Sequence, residues 1–236
     1  MLKYIDDTKV IGKIDNKRDI ENFQVTMNSK YEWEWKNNMK WNGDKFMIDR
    51  IGSKSIVENT TLFSPDYEEP IEEYQSARDL GVMFDDHLDF KSHRSLVIKK
   101  MNSKISWVLR TFRTRNIEHM RFLWKSIIQS TQDYGNIVWA PVGIKCDMIA
   151  QEGPLRQFSK KVKGLWELDY WTRLKKLKMN SIERRVERFR ILYTWKSLMG
   201  IVPSLGFSIY IHPKKGKMIR EIPNKGKVQS VKNKKV

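Results

Sequence analysis

Hydrophobic positions along this chain change period near residue 90, and the elements they predict change with them. Leu2, Tyr4 and Ile5 precede a pair of aspartates and Val10, Ile11 and Ile14 follow it, which predicts a β-hairpin with Asp6-Asp7 at its tip. From Asp19 to Lys40, Ile20, Phe23, Met27 and Tyr31 recur at helical spacing, and Trp33, Trp35 and Trp41 crowd the end of that helix. Phe46, Ile48 and Ile51 come close to alternation and predict a strand, while the acidic, Pro-containing stretch 64–73 reads as a loop. Arg78 to Phe84 is a short apolar run with an internal glycine, read as a strand with a bend or a close backbone approach at Gly81.

From about Lys91 the period becomes helical. Val97, Met101, Ile105, Val108, Leu109 and Phe112 form one stripe, and Met120, Leu123, Trp124, Ile127 and Ile128 mark a second helix over about 118–134. Both stripes have the spacing of bundle core. A third helix runs from Ser181 to Met199, opened by Asn180 with Glu183 three residues on and closed by Gly200 and Pro203. Its apolar face is Ile182, Val186, Phe189, Tyr193 and Leu192, and its basic side holds Arg184, Arg185, Arg188 and Arg190. The expected fold class is α+β: a hairpin, a helix and short strands, then a mostly helical lobe. There is no internal repeat.

Composition adds a partner to this picture. The 236 residues carry a formal charge of +17, which favours a polyanion, with nucleic acid ahead of an acidic membrane surface. From His212 onward nine Lys or Arg stand against one Glu, so that tail is expected to be disordered when free. The lone Cys146 excludes an intramolecular disulfide, and His87, His93, His119 and His212 have no zinc spacing. The N-terminus reaches Asp6 too soon to hold a secretory signal core, and no apolar run approaches the ~20 residues of a membrane span. An intracellular protein of nucleus or cytoplasm is therefore expected, neither secreted nor in the membrane.

Asp6-Asp7 is the candidate chemistry. Mg²⁺ takes hard oxygen ligands, one or two protein carboxylates plus substrate phosphates, and two such ions clamp the attacking and leaving oxygens of a phosphoryl displacement. An aromatic-x-Asp-Asp string arises by chance in roughly one chain in twenty of this length, so the pair needs company to mean more than an acidic turn.

That company follows in order. Tyr4-Ile5-Asp6-Asp7-Thr8-Lys9 resembles the catalytic hairpin of the reverse transcriptases of non-LTR, LINE-like retrotransposons. Met39-Lys40-Trp41-Asn42 with Lys45 is similar to the element that follows it in that family. Asp79-Leu80-Gly81-Val82, continued by Asp86, Leu88, Phe90 and His93, resembles the primer-grip turn and the start of the thumb. Tyr134-Gly135-Asn136-Ile137-Val138-Trp139-Ala140-Pro141 and Ser181-Ile182-Glu183-Arg184-Arg185 resemble the later thumb.

The resemblance implies a partial palm over 1–93, a helical thumb over 94–208 and a basic tail over 209–236. It implies Asp6 and Asp7 as ligands of Mg²⁺ or Mn²⁺, Lys45 acting on the leaving pyrophosphate, and Tyr4 beside the primer terminus. Leu80, Gly81 and Val82 would position the primer, and Arg184, Arg185 and Arg188 would contact an RNA or DNA template–primer duplex. The family also uses a further aspartate and fingers upstream of the hairpin. A chain beginning three residues before Tyr4 is expected to lack this N-terminal polymerase portion and to be inactive alone. Asp85-Asp86 reads as a turn and an N-terminal helix acid rather than a replacement. Gly153-Pro154 is expected to interrupt a segment that is helical in the family.

The alternatives are a non-catalytic nucleic-acid-binding module and a degraded element remnant. Membrane association through the Arg-rich helix ranks last, because Phe189 and Tyr193 have core spacing.

Overall fold

The computed structural model describes residues 2–4, 7–39, 47–52, 61–65, 69–141 and 145–202, and within them the chain is a helix-rich α+β protein whose strands pair as two antiparallel hairpins. It divides into two units, Met1–His93 and Arg94–Val236. Asp6, the Met39–Asn42 element beyond Met39, Lys45 and the 209–236 tail lie outside the described residues.

In the first unit, β1 (Leu2–Tyr4) pairs with β2 (Asp7–Lys9) in the register Leu2↔Lys9, Lys3↔Thr8, Tyr4↔Asp7. The expected hairpin is present, but Asp7 is paired within β2 opposite Tyr4 rather than standing at the tip, and β2 ends at Lys9 rather than running on through Val10 and Ile11. Helix α1 (Lys17–Lys36) opens on a reciprocal cap: Asn16 Oδ1 accepts from the Asp19 amide at 3.0 Å and the Asp19 carboxylate accepts from the Asn16 amide at 3.1 Å. It buries Ile20 and Met27 and stops four residues before the predicted Lys40, because Asn38 takes a left-handed φ of 56°. Of the strand expected over Phe46, Ile48 and Ile51, Phe46 lies outside the described residues, and among the described ones Ile48 forms an isolated parallel bridge with Glu73; a second bridge, Phe63↔Pro70, reaches into the expected loop over 64–73.

β3 (Ser76–Asp79) and β4 (Val82–Asp85) form the second hairpin. After it, the Asp85 carboxylate accepts from the Asp89 amide (3.0 Å), and the Asp89 carboxylate accepts from the Lys91 amide (2.8 Å) where the next helix begins. Asp85 is thus the turn residue, and the N-terminal helix acid is Asp89, not Asp86.

The second unit is built on α2 (Lys91–Thr111), which begins within the first unit and buries the predicted Val97, Met101, Ile105 and Val108, leaving Leu109 and Phe112 partly exposed. The second predicted helix appears as α3 (Ile117–Leu123), a π-helical turn (Trp124–Ile128) and α4 (Gln129–Asp133). The wider turn lets Met120, Leu123, Trp124 and Ile128 all reach the core, and Lys104 of α2 donates to the Ile127 carbonyl within it at 3.1 Å. After the short α5 (Asn136–Trp139), α6 (Lys145–Lys160) runs through Gly153-Pro154 without a break. Pro154 removes one N–H from the ladder, but the helix is held by burial of Gln151, Glu152, Leu155 and Phe158, whose ring lies 5.0 Å from that of Trp124.

Helix α7 (Tyr170–Leu177) is capped by Asp169, which accepts from the amides of Trp171 (3.0 Å) and Thr172 (3.1 Å). Hydrogen bonds from Thr172, followed by that from Trp171, hold the Asp169 carboxyl below its usual range. A lowered folded pKa places this contribution above the unfolded value, with loss as pH falls through and below 3.8. Asp169→Asn is therefore expected to flatten the acid limb of hydrogen-exchange protection in α7 while leaving protection at neutral pH nearly unchanged.

Helix α8 (Ile182–Leu198) starts one residue later than expected. Ser181, not Asn180, is the cap, its hydroxyl accepting from the Arg184 amide at 3.2 Å. Gly200, at φ 67°, lies just past its C-terminal end.

Candidate functional site

β-Pairing places Asp7 at the first position of β2, opposite Tyr4 and two residues before Lys9. The Lys9 ammonium pairs with the Asp79 carboxylate at the end of β3 and stands 6.0 Å from the centre of the Phe84 ring in β4. The two stretches that carry the aspartates and the Leu80-Gly81 turn are 70 residues apart in sequence and adjacent in the fold. A half-exposed pair of this kind adds little stability, so its significance is positional.

The second hairpin corrects the reading of 78–84 as one bent strand. Asp79 pairs with Val82, and Leu80 (φ 42°) and Gly81 (φ 84°) form a two-residue turn with positive φ at both positions, the type I′ geometry that follows the twist of paired strands. Glycine tolerates this conformation, whereas leucine is strained in it. The turn is braced from behind: the Met83 amide donates to His93 Nδ1 at 3.2 Å, and the Phe84 and Phe90 rings meet edge-on at 5.4 Å. Leu80 is 43% exposed at the tip while Val82 is buried. Leu80→Asn is expected to stabilise the hairpin by about 0.5–1 kcal/mol, read as slower amide exchange across β3 and β4.

The ligand set implied for Mg²⁺ or Mn²⁺ fits by donor chemistry, since two carboxylates offer hard oxygens and leave positions for water and phosphate. Asp6 and Asp7 would hold the ion, which would supply charge neutralisation at a reacting phosphate. Among the described residues no three His, Cys, Asp or Glu side chains group as a metal site. Burial, then Asp86, Asp85 and Glu73, raises the Asp49 carboxyl, and the exposed His87 imidazole is raised by its hydrogen bond to Asp86. These acids repel one another without converging.

The three arginines named on α8 have different surroundings. Arg185 makes a two-pronged contact with Asp133, its Nε donating to Oδ1 at 3.1 Å, and its guanidinium lies 5.6 Å from the Phe189 ring. Arg184 and Arg188, one turn apart, are exposed. Arg190 donates to the carbonyls of Ala140 (3.1 Å) and Pro141 (2.9 Å). Arg185 and Arg190 thus fasten the helix, while Arg184 and Arg188 present their guanidinium groups to solvent.

The apolar face of α8 is buried only at Ile182 and Val186, while Leu192 and Tyr193 are more than 40% exposed, contrary to the core packing expected for them. Packing at Tyr193 therefore gives no argument against lipid. Among the described residues, no helix is long and apolar enough to cross a membrane.

Sequence reasoning missed Glu152, a buried carboxylate that accepts from the Tyr170 hydroxyl and from the amides of Ile182 (3.0 Å) and Glu183 (3.2 Å). Its position in mid-helix gave no local signal. No family model, curated protein or solved structure matches the chain.

Proposed function

We propose that this chain is the palm end and thumb of an RNA-directed DNA polymerase of the non-LTR retrotransposon class, binding a template–primer duplex. The observation that supports this reading best is the Lys9–Asp79 contact, which sets the Asp7 strand beside the Leu80-Gly81 turn. A metal-binding carboxylate pair and a turn that seats the end of a primer must be neighbours, because the reacting 3′-hydroxyl has to reach the ions. Asp6 and Asp7 hold Mg²⁺ or Mn²⁺, Tyr4 and Leu80 to Val82 position the primer, and Lys45 protonates the leaving group. The hairpin supplies two carboxylates, which by themselves cannot keep two ions in register, so primer extension requires a further carboxylate ligand.

The test is a photo-crosslinker at the recessed 3′ end of a primer–template duplex. Crosslinks to residues 2–9 and 76–85 are expected. Crosslinks confined to the second unit would overturn the polymerase reading. They would favour instead a non-catalytic nucleic-acid-binding module, the reading to which exposed Arg184 and Arg188 also lend support.

A further inference from the structure

The second unit contains an open cleft of about 680 Å³ between the α2–α3 loop and the turn that follows α6. Arg113, Arg115, Lys160, Lys161, Lys163 and Trp166 line it, and no acidic side chain does. One wall is pinned from inside: the Arg115 guanidinium donates to the carbonyls of Phe112 and Leu109 at the end of α2. The Lys163 amide donates to the Arg115 carbonyl at 2.8 Å, tying the opposite wall to it. The ammonium groups of Lys160, Lys161 and Lys163 and the guanidinium of Arg113 belong to exposed residues, and Trp166 is 67% exposed, the highest value for any described tryptophan.

We infer that this cleft binds an unpaired nucleic-acid strand, with the Trp166 ring stacking on a base and Arg113, Lys160, Lys161 and Lys163 meeting its phosphates. Five cations without a counter-charge repel one another and are relieved by a polyanion. The exposed ring then selects the kind of polyanion, because only an unpaired base presents a face on which an indole can stack. A solvated lysine surface would hold acids among the bases, whereas here the uniform positive charge is combined with an exposed indole in the same lining. A second cleft of about 340 Å³, lined by Arg121, Phe122 and Lys125, also sets an exposed ring beside cations, but Glu118 lines it too, so it lacks the uniform charge of the first.

This inference rests on the nucleic-acid reading of the second unit and not on the metal site. The full chain is titrated, by fluorescence anisotropy, into labelled oligothymidylate and oligouridylate of about 12 nucleotides and into a blunt duplex of the same length. Trp166→Ala is expected to weaken binding of both single strands by about 5- to 150-fold, with Trp166→Phe recovering most of it and the duplex little affected. The double variant Lys160→Ala, Lys163→Ala should lower the slope of log K against log salt for single strands by about 1.4. Unchanged single-strand binding in Trp166→Ala, or an equal loss on the duplex, would overturn the inference. So would vesicles of anionic lipid whose binding, unlike that of the oligonucleotides, depends on Trp166. Asp6→Ala with Asp7→Ala separates the two readings, since it should leave single-strand binding unchanged whether or not the hairpin holds a metal.

Discussion

Glu152→Ala is expected to destabilise the second unit by about 3–5 kcal/mol, because one buried carboxylate is shared by two helices. Glu152 is 4% exposed and serves both α7 and α8. Its carboxylate accepts from the Ile182 and Glu183 amides, while the Ser181 hydroxyl takes the Arg184 amide and the Ser181 carbonyl the Arg185 amide, so four donors at the start of α8 are satisfied. The third partner is the Tyr170 hydroxyl, whose ionisation is pushed far above its usual range by burial and then by this carboxylate. Alanine would leave buried donors on α7 and α8 without acceptors, each costing about 1–3 kcal/mol. Glu152→Gln keeps one acceptor oxygen but turns an amide toward N–H groups, and should fall between the two. Hydrogen exchange resolved to α7 and α8 is the suitable measurement, because a chain of two units need not unfold in one step. Protection in α8 that survives Glu152→Ala would mean the helix is held by Ile182, Val186 and the Arg185 and Arg190 contacts without the carboxylate.

The second large effect is on binding. Raising salt from about 50 to 200 mM is expected to weaken duplex binding by about a thousandfold, the loss that accompanies neutralisation of about six phosphates. Arg184 and Arg188 are exposed on α8 and supply two of these contacts, and Arg185 and Arg190 are excluded because Asp133 and two backbone carbonyls already hold them. Arg184→Ala with Arg188→Ala should lower the slope by about 2, whereas Arg185→Ala should act mainly on stability through the loss of Asp133. Asp6→Ala should leave the affinity and its slope unchanged, since the binding charge lies elsewhere. A shallow slope, or equal losses from Arg185 and Arg188, would place the phosphates on another surface.

Much of the helical framework is legible in the sequence because burial follows period: Val97, Met101, Ile105 and Val108 share one helical spacing and are the core of α2. Contacts between distant residues leave no such trace. The α8 stripe reads as continuous through Tyr193, yet only its first turns meet a neighbour, so the spacing locates the face but not where its partner ends. Gly153-Pro154 signals a break that burial of Leu155 and Phe158 overrides. The β3–β4 turn escapes a sequence reading because Leu-Gly lacks the Asn-Gly signature of a type I′ turn, and the left-handed leucine is visible only in the backbone. At the candidate site, the Tyr4–Asp7 hairpin is readable from a few residues, whereas the Lys9–Asp79 contact joins residues 70 apart and the basic cleft joins segments 113–116 and 160–166.

The proposed metal site of Asp6 and Asp7 beside the Leu80-Gly81 turn is tested most directly by Fe²⁺ in place of Mg²⁺. Bound iron with ascorbate and peroxide cleaves backbone close to the ion, so mapping the fragments locates the metal without requiring activity. In the presence of a primer–template duplex, cleavage should concentrate at residues 2–9 and 76–85, be competed by excess Mg²⁺ and disappear in Asp6→Ala with Asp7→Ala. Diffuse cleavage, or localised cleavage that persists in that double variant, would contradict the assignment.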